Sequence, residues 1–179
     1  MRIGPSLALP AVRRLGIAVP NPSIGASYVL SEIGVAATGK GTFLFRGTLS
    51  VTGTGSIQYL ICVDDNSLTT QIYIRQNSTG AGTSLVRVNA GSASAAQGNV
   101  TAGVEFSAGM AIDGVGGAIV SVAGAASTSV TGAGTSLTRL RLGQNASAGA
   151  AMAGSIALMR VYPGVAMADA DLRAAVTAL

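Results

Sequence analysis

The sequence predicts an all-β fold: an antiparallel two-sheet jelly-roll sandwich with an extended N-terminal arm and a short C-terminal helix. Short runs of alternating apolar and polar residues follow one another from residue 40 onwards, and glycine-rich turns separate them. Near residue 168 the two-residue period gives way to a helical one. With 179 residues the chain is long enough for one such domain. The predicted strands cover residues 42–51, 56–63, 70–76, 83–89, 99–107, 109–113, 117–122, 136–142 and 154–162.

Residues 1–38 form the predicted arm, and residues 39–179 form the predicted sandwich. Four prolines interrupt the arm, which restricts its backbone and removes hydrogen-bond donors, so we expect little regular structure there. Its apolar side chains need cover, which either the chain's own sandwich or a neighbouring subunit would provide. The residues assigned to assembly by this arm are Ile3, Leu7, Leu9, Val12, Leu15, Ile17 and Val19.

The carboxyl-terminal segment has the clearest pattern. A glycine opens the strand 154–162, and Pro163 followed by glycine closes it. Leu172, Val176 and Leu179 then recur at i, i+4 and i+7, which predicts a helix over about 168–178. Acidic residues in the first helical turn favour the positive end of the helix dipole. The order strand, turn and helix is typical of the end of a jelly roll.

This ending resembles the laminin-G-like and concanavalin A-like lectin jelly rolls of the type found in bacteriophage virion and tail-fibre proteins. The residues that carry the resemblance are Gly154, Ile156, Met159, Val161, Tyr162, Pro163, Asp169, Ala170, Asp171 and Leu172. Residues 42–47 and 57–66 resemble the opening strands of the same family, so the resemblance extends over roughly residues 40 to 179. Two departures are Ala168, where the family usually has serine, and the lack of tryptophan.

Composition argues against several functions. The chain has no histidine, which excludes the serine triad, the cysteine–histidine pair and imidazole-bound zinc, and its acids lack a glycosidase-like spacing. We therefore expect neither an enzyme nor a cofactor. The net charge of +4 is carried by scattered arginines, which argues against a nucleic-acid partner. No apolar run reaches the length of a membrane-spanning helix, so we expect no membrane insertion.

Three further residues have a predicted environment. Cys62 lies in an apolar run and is expected to be a reduced core thiol. Arg139 and Arg141 alternate along one strand, where they form either a small basic stripe or, as we favour, solvated residues that protect an edge strand.

Two groups of polar residues are candidate sites. In the strand 70–76, Gln71, Tyr73 and Arg75 are predicted to face water, and Asn77 follows in a turn, so these four residues are the candidate carbohydrate-binding set with Tyr73 as the stacking ring. Asp64, Asp65 and Asn66 are a weak candidate for a calcium site. A β-turn closed by Asx hydrogen bonds is the preferred interpretation of the second group.

These observations predict a non-enzymatic structural component of a phage or phage-like particle, such as a fibre, spike or capsid-decorating protein. The arm would mediate assembly with copies of the chain and other virion proteins, and a host-surface polysaccharide is a further expected partner. The N-terminal order of charge and apolarity does not match a signal peptide, so we expect a virion protein made in the bacterial host cytoplasm. The alternative is a stand-alone, lectin-like carbohydrate-binding module.

Overall fold

A computed structural model describes residues 16–89, 92–131, 136–148 and 151–179, with the backbone alone for residues 85–89, 92 and 93. Twelve strands, one 3-10 helix and one α-helix lie in these ranges. The strands are β1 (Ile17–Ala18), β2 (Ser27–Val29), β3 (Gly41–Leu49), β4 (Gln58–Asp64), β5 (Thr70–Gln76), β6 (Gly82–Asn89), β7 (Ser92–Asn99), β8 (Glu105–Ile112), β9 (Ala118–Val122), β10 (Thr128–Val130), β11 (Arg139–Leu142) and β12 (Gly154–Pro163). The 3-10 helix is Leu30–Ile33, and the α-helix α1 is Asp169–Thr177.

The strands form two antiparallel sheets of six strands each, which confirms the predicted fold class. Sheet A has the order β1-β12-β3-β8-β9-β10, and sheet B has the order β2-β11-β4-β5-β6-β7. Strands that are distant in sequence lie side by side, as in the pairing of β3 with both β12 and β8. The chain passes repeatedly from one sheet to the other, so that several neighbours in a sheet are distant in sequence. This connectivity is the jelly-roll arrangement.

The inner faces of the two sheets enclose one hydrophobic core. Phe43, Phe45 and Phe106 of sheet A lie there, and the rings of Phe45 and Phe106 have centroids 5.7 Å apart. From sheet B, Ile72 and Ile74 point inwards and are fully buried. Because successive side chains of a strand alternate between faces, the residues between these positions point outwards.

Helix α1 packs on the outer face of sheet A. Its Leu172 and Val176 are buried against Leu44 and Ala111. Gly109 lies below the helix, and a Cβ atom there would lie 2.7 Å from a methyl carbon of Val176. The predicted helix is confirmed, and the absence of a side chain at residue 109 allows it to approach the sheet closely.

The sandwich begins earlier in the chain than residue 39. Strand β1 pairs with β12 and strand β2 pairs with β11, so part of the predicted arm supplies an edge strand to each sheet. Of the residues assigned to assembly, Val19 is buried in the core and Ile17 is 46% exposed. Ile3, Leu7, Leu9, Val12 and Leu15 lie outside the described residues. Pro20 and Pro22 do not prevent this pairing, because they lie in the connection between β1 and β2 and not in either strand.

In the rest of the described chain, the largest differences from the predicted strands occur at β7, β8 and β10. Residues 105–112 form the single strand β8, where the sequence predicts two strands. The short strand β10 and most of β7 occur where no strand is predicted. The β7 sequence consists mainly of serine and alanine, which give no contrast between an apolar and a polar face.

Within the described ranges, no helix has the length and apolarity that crossing a membrane requires.

Candidate functional site

The outer faces of the two sheets differ in what covers them. The outer face of sheet A lies under α1, which packs on β3, β8 and β9. The described part of the chain contains no second α-helix, and none lies on sheet B. We call the outer face of sheet B the open face; its described members on the central strands are Tyr59, Cys62, Asp64, Gln71, Tyr73, Arg75, Ser84, Arg139 and Arg141.

These residues form three rows across the strands. Because directly paired residues point to the same side of a sheet, the strand register places the members of each row side by side. The rows are Arg139, Asp64 and Gln71 at one end; Arg141, Cys62 and Tyr73 in the middle; and Tyr59, Arg75 and Ser84 at the other end. The open face therefore has a mainly polar surface with two tyrosine rings.

Tyr73 lies on the outer side of its strand, as the alternation predicts, but its ring does not meet water. Its exposed fraction is only 5%, because Tyr59 packs on it with ring centroids 4.7 Å apart. Burial, followed by the neighbouring Tyr59, raises the pKa of Tyr73 to about 12. The expectation of an exposed stacking ring at Tyr73 is therefore wrong, and Tyr59 is the half-buried ring of this pair.

A β-bulge explains why sequence alternation misses Tyr59. The register between β4 and β5 shifts between Tyr59 and Ile61, so Leu60 and Ile61 both reach the core although they are adjacent. The extra residue returns Tyr59 to the same side as Cys62. Residues 59–63 are apolar throughout, so the strand carries no alternation from which the bulge could have been predicted.

Cys62 is fully buried, as expected, but on the open face and not between the sheets. Its Sγ lies 3.6 Å from Asp64 Oδ2 and 3.5 Å from Gln71 Oε1. Burial and the nearby Asp64 carboxylate raise the pKa of the Cys62 thiol well above its ordinary value. The thiol is therefore protonated at neutral pH and is a poor nucleophile.

Arg141 is held in a buried ion pair. Its Nε donates a hydrogen bond of 2.7 Å to Oδ2 of Asp64, whose side chain is fully buried, and 12% of the Arg141 side chain is exposed. An Nη atom of Arg141 donates to Asn66 Oδ1 over 2.6 Å. The prediction of a solvated residue on an edge strand is wrong for Arg141, because β11 lies between β2 and β4.

Asp64, Asp65 and Asn66 form the predicted turn. The backbone N–H of Asn66 donates to Asp64 Oδ1 over 2.7 Å, and the N–H of Ser67 donates to Asp65 Oδ1 over 2.9 Å. These two Asx hydrogen bonds confirm the preferred interpretation. Both oxygens of Asp64 are engaged, and the described residues contain no group of three or more histidine, cysteine or acidic side chains able to hold a metal ion.

The third row forms a polar corner, which we call the Arg75 corner and which consists of Tyr59, Arg75, Asn77 and Ser84. Ser84 Oγ donates to Asn77 Oδ1 over 3.0 Å, and Arg75 lies between Tyr59 and Ser84 across the strands. The Nε atom of Arg75 is buried without a hydrogen-bond partner. The corner thus combines a partly exposed ring, an amide, a hydroxyl and a guanidinium group whose Nε–H is unsatisfied.

The structure divides the predicted carbohydrate-binding set. Arg75 and Asn77 belong to the Arg75 corner, connected through Ser84. Gln71 lies at the other end of the open face, where it is 4% exposed and its Nε2 donates to Leu68 O over 2.9 Å. Sequence reasoning therefore identified two members of the corner and missed Tyr59 and Ser84.

Comparisons of the sequence yield no relatives: no protein-family model and no curated protein matches the chain. Comparisons of the fold, in contrast, yield similar solved structures. The CBM40 of the Ruminococcus gnavus IT-sialidase, solved bound to α2,3-sialyllactose, has a TM-score of 0.63 at 17% identity, covering 90% of this chain and 96% of that one.

Two larger proteins contain a similar part. The leech intramolecular trans-sialidase has a TM-score of 0.59 at 16% identity, and the match covers 92% of this chain and 27% of that one. The mouse laminin α1 chain, domains LG4-5, has a TM-score of 0.54 at 10% identity, covering 83% and 41%. The chain therefore has the jelly-roll, lectin-like fold that CBM40 and laminin LG domains share.

Proposed function

We propose that this chain is a non-enzymatic carbohydrate-binding module whose open face holds the glycan at the Arg75 corner. The observation that carries the proposal is the difference between the two outer faces: α1 covers the face of sheet A, whereas the face of sheet B is polar and uncovered by any described helix. A polar, ring-bearing surface on a rigid sheet is suited to a sugar ligand.

The chemistry of the corner matches what a sugar requires. A pyranose presents an apolar face of C–H groups and a rim of hydroxyls, so its binding site needs an aromatic ring beside donors and acceptors. Tyr59 supplies the ring, Arg75 and Asn77 supply the polar groups, and the buried Ser84 holds the Asn77 amide by its hydrogen bond. Their backbones belong to paired strands or directly follow one, which keeps the binding geometry ordered before the ligand arrives.

The fold comparisons support binding over catalysis. The R. gnavus CBM40, almost all of which matches this chain, was solved with a sialyllactose ligand, whereas the match to the leech enzyme covers a minor part of that protein. On the open face, Asp64 is the single acidic member and its charge is paired with Arg141. Hydrolysis of a glycosidic bond in most glycosidase families uses two carboxyl groups, one as an acid and one as a base or nucleophile.

The predicted role as a structural component of a phage-like particle stays a prediction, as does a virion location. It depends on assembly by an N-terminal arm. A shortened chain that tests the role of the arm in assembly should start at Gly16 and not at residue 39. Removal of β1 and β2 would also take an edge strand from each sheet.

The proposal is tested by binding of the purified chain to a glycan array, followed by calorimetry with the strongest glycan. We expect a saturable signal, and Tyr59→Ala should weaken binding at least about tenfold, equivalent to about 1.4 kcal/mol. Tyr59→Phe is the matched control, because it keeps the ring, and it should change the affinity far less. Absence of any saturable signal from a folded protein, shown by an intact circular dichroism spectrum, would contradict the proposal.

A further inference from the structure

We infer that the open face selects glycans that carry an acidic group, and that Arg75 is the residue that contacts it. The inference rests on the proposed function, because it names the class of sugar that the same site takes.

The open face has an excess of positive charge. It carries Arg75, Arg139 and Arg141 against the single carboxylate of Asp64. Arg141 and Asp64 neutralise one another at 2.7 Å, and the other ion pair found in the described ranges, Arg46 with Glu105, lies on sheet A. Arg75 and Arg139 therefore keep their charge without an acidic partner among the described residues.

Arg75 differs from Arg139 because its guanidinium group is incompletely satisfied. Its Nε is buried with no hydrogen-bond partner, while no such unsatisfied atom occurs at Arg139 or Arg141. A buried donor without a partner is unfavourable, and the partly exposed Arg75 side chain would recover this loss by turning its Nε–H towards an acceptor that a ligand supplies. The group that fits best is an anion with two oxygens, since guanidinium binds carboxylate or sulfate through two parallel N–H bonds.

The neighbours of Arg75 support recognition of a sugar that carries such an anion. The half-buried Tyr59 ring lies on one side of Arg75 and Ser84 on the other. A ligand whose charged group reaches Arg75 would thus place its ring against Tyr59 and its hydroxyls near Ser84 and Asn77. Arg141, in contrast, is a positioning residue that holds Asp64 and Asn66.

The test uses the full chain on a glycan array that contains lactose, 3′-sulfolactose and 3′-sialyllactose beside other neutral and acidic glycans. We expect the signal to be concentrated on acidic glycans and to decline between about 0.05 M and about 0.5 M salt, as electrostatic binding does. 3′-Sialyllactose adds to lactose a sialic acid that bears a carboxylate, and 3′-sulfolactose adds a sulfate group, so the pair distinguishes which acidic group is preferred.

Three variants assign the contact. Arg75→Gln should lower the ratio of the affinity for acidic glycans to that for neutral glycans at least about tenfold, equivalent to about 1.4 kcal/mol. Arg75→Lys keeps the charge but not the planar pair of donors, so it should restore only part of the preference. Arg160→Gln removes an exposed arginine from sheet A and should leave the preference unchanged.

The outcomes separate the two proposals. Equal binding of neutral and acidic glycans, or a preference that survives Arg75→Gln, would overturn the inference and leave the proposed function intact. The absence of saturable binding to any glycan by the folded chain would overturn the proposed function and the inference together.

Discussion

The outer faces of the two sheets differ in their outward side chains and in what covers them. On sheet A, the outward residues at the centre are small or apolar, and α1 buries them with Leu172 and Val176. On sheet B, the central outward residues include three arginines and an aspartate. The chain's own helix covers the first face, and no helix of the described residues covers the second.

The position of α1 on sheet A is stabilised by hydrophobic contact, whereas the open face is stabilised by a buried ion pair. Burial of a leucine or valine side chain contributes about 1.5–3 kcal/mol, so α1 is held by its two buried side chains. An ion pair that is buried contributes less on balance, but removing one partner leaves the other uncompensated. Three predictions test this difference, beginning with the largest effect.

The first prediction removes the charge that balances Asp64. Arg141→Met should lower the free energy of unfolding by about 3–5 kcal/mol, because the buried carboxylate loses its partner. Urea denaturation followed by circular dichroism measures the loss. Arg139→Met, two residues away on the same strand and without an ion pair in the described ranges, is the matched control and should be nearly neutral.

A double variant sharpens the same test. Asp64→Asn combined with Arg141→Met should recover much of the lost stability, because asparagine keeps an acceptor for the backbone of Asn66 without a buried charge. If Arg141→Met were no more destabilising than Arg139→Met, the stability of the chain would not depend on the Asp64–Arg141 ion pair.

The second prediction disturbs the covered face. Gly109→Ala places a methyl group 2.7 Å from Val176 and 2.8 Å from Leu172, so the helix must move outwards. We expect a loss of about 1–3 kcal/mol in the free energy of unfolding, which is typical of overpacking. Ser107→Ala, on the same strand and face, should be close to neutral. Glycan binding should persist in both variants, and its loss in Gly109→Ala would show that the two faces are coupled.

The third prediction concerns pH. The pKa of Tyr73 is raised from 10.0 to about 12, so the folded chain retains this proton while the unfolded chain releases it. Stability from this group is therefore complete below pH 10 and is lost as the pH rises from 10 to about 12. Chemical unfolding across this interval should show a smaller decline in Tyr73→Phe than in the unchanged chain. An identical decline in both proteins would mean that Tyr73 titrates freely.

The prediction from sequence succeeds where the local pattern and the environment agree. The C-terminal strand and helix occur nearly as predicted, because a period of two and a helical period are distinct in this segment. The strand β5 is also correct, including the inward direction of its isoleucines. The edge strands β1, β2 and β10 are missed, because each is two or three residues long and its strand conformation depends on pairing with a neighbour.

The residues of the candidate site divide in the same way, into those that a local pattern predicts and those that depend on distant contacts. Arg75 and Asn77 were identified because they lie on the polar side of a well-patterned strand or in the turn after it. Tyr59 and the Asp64–Arg141 pair were not, because a bulge re-aims Tyr59 and the ion pair joins residues that are 77 positions apart in the chain. Neither relationship leaves a periodic signal within one strand.

The sequence by itself determined the all-β class, the terminal helix and the lack of any histidine-dependent chemistry, since alternation, helical spacing and composition are local properties. Only the folded arrangement establishes which tyrosine is buried, which arginine is neutralised and which sheet carries the described α-helix. These outcomes depend on contacts between distant strands and on the single face that α1 occupies. They are therefore consequences of how the sheets pack, and the properties of each strand alone do not specify them.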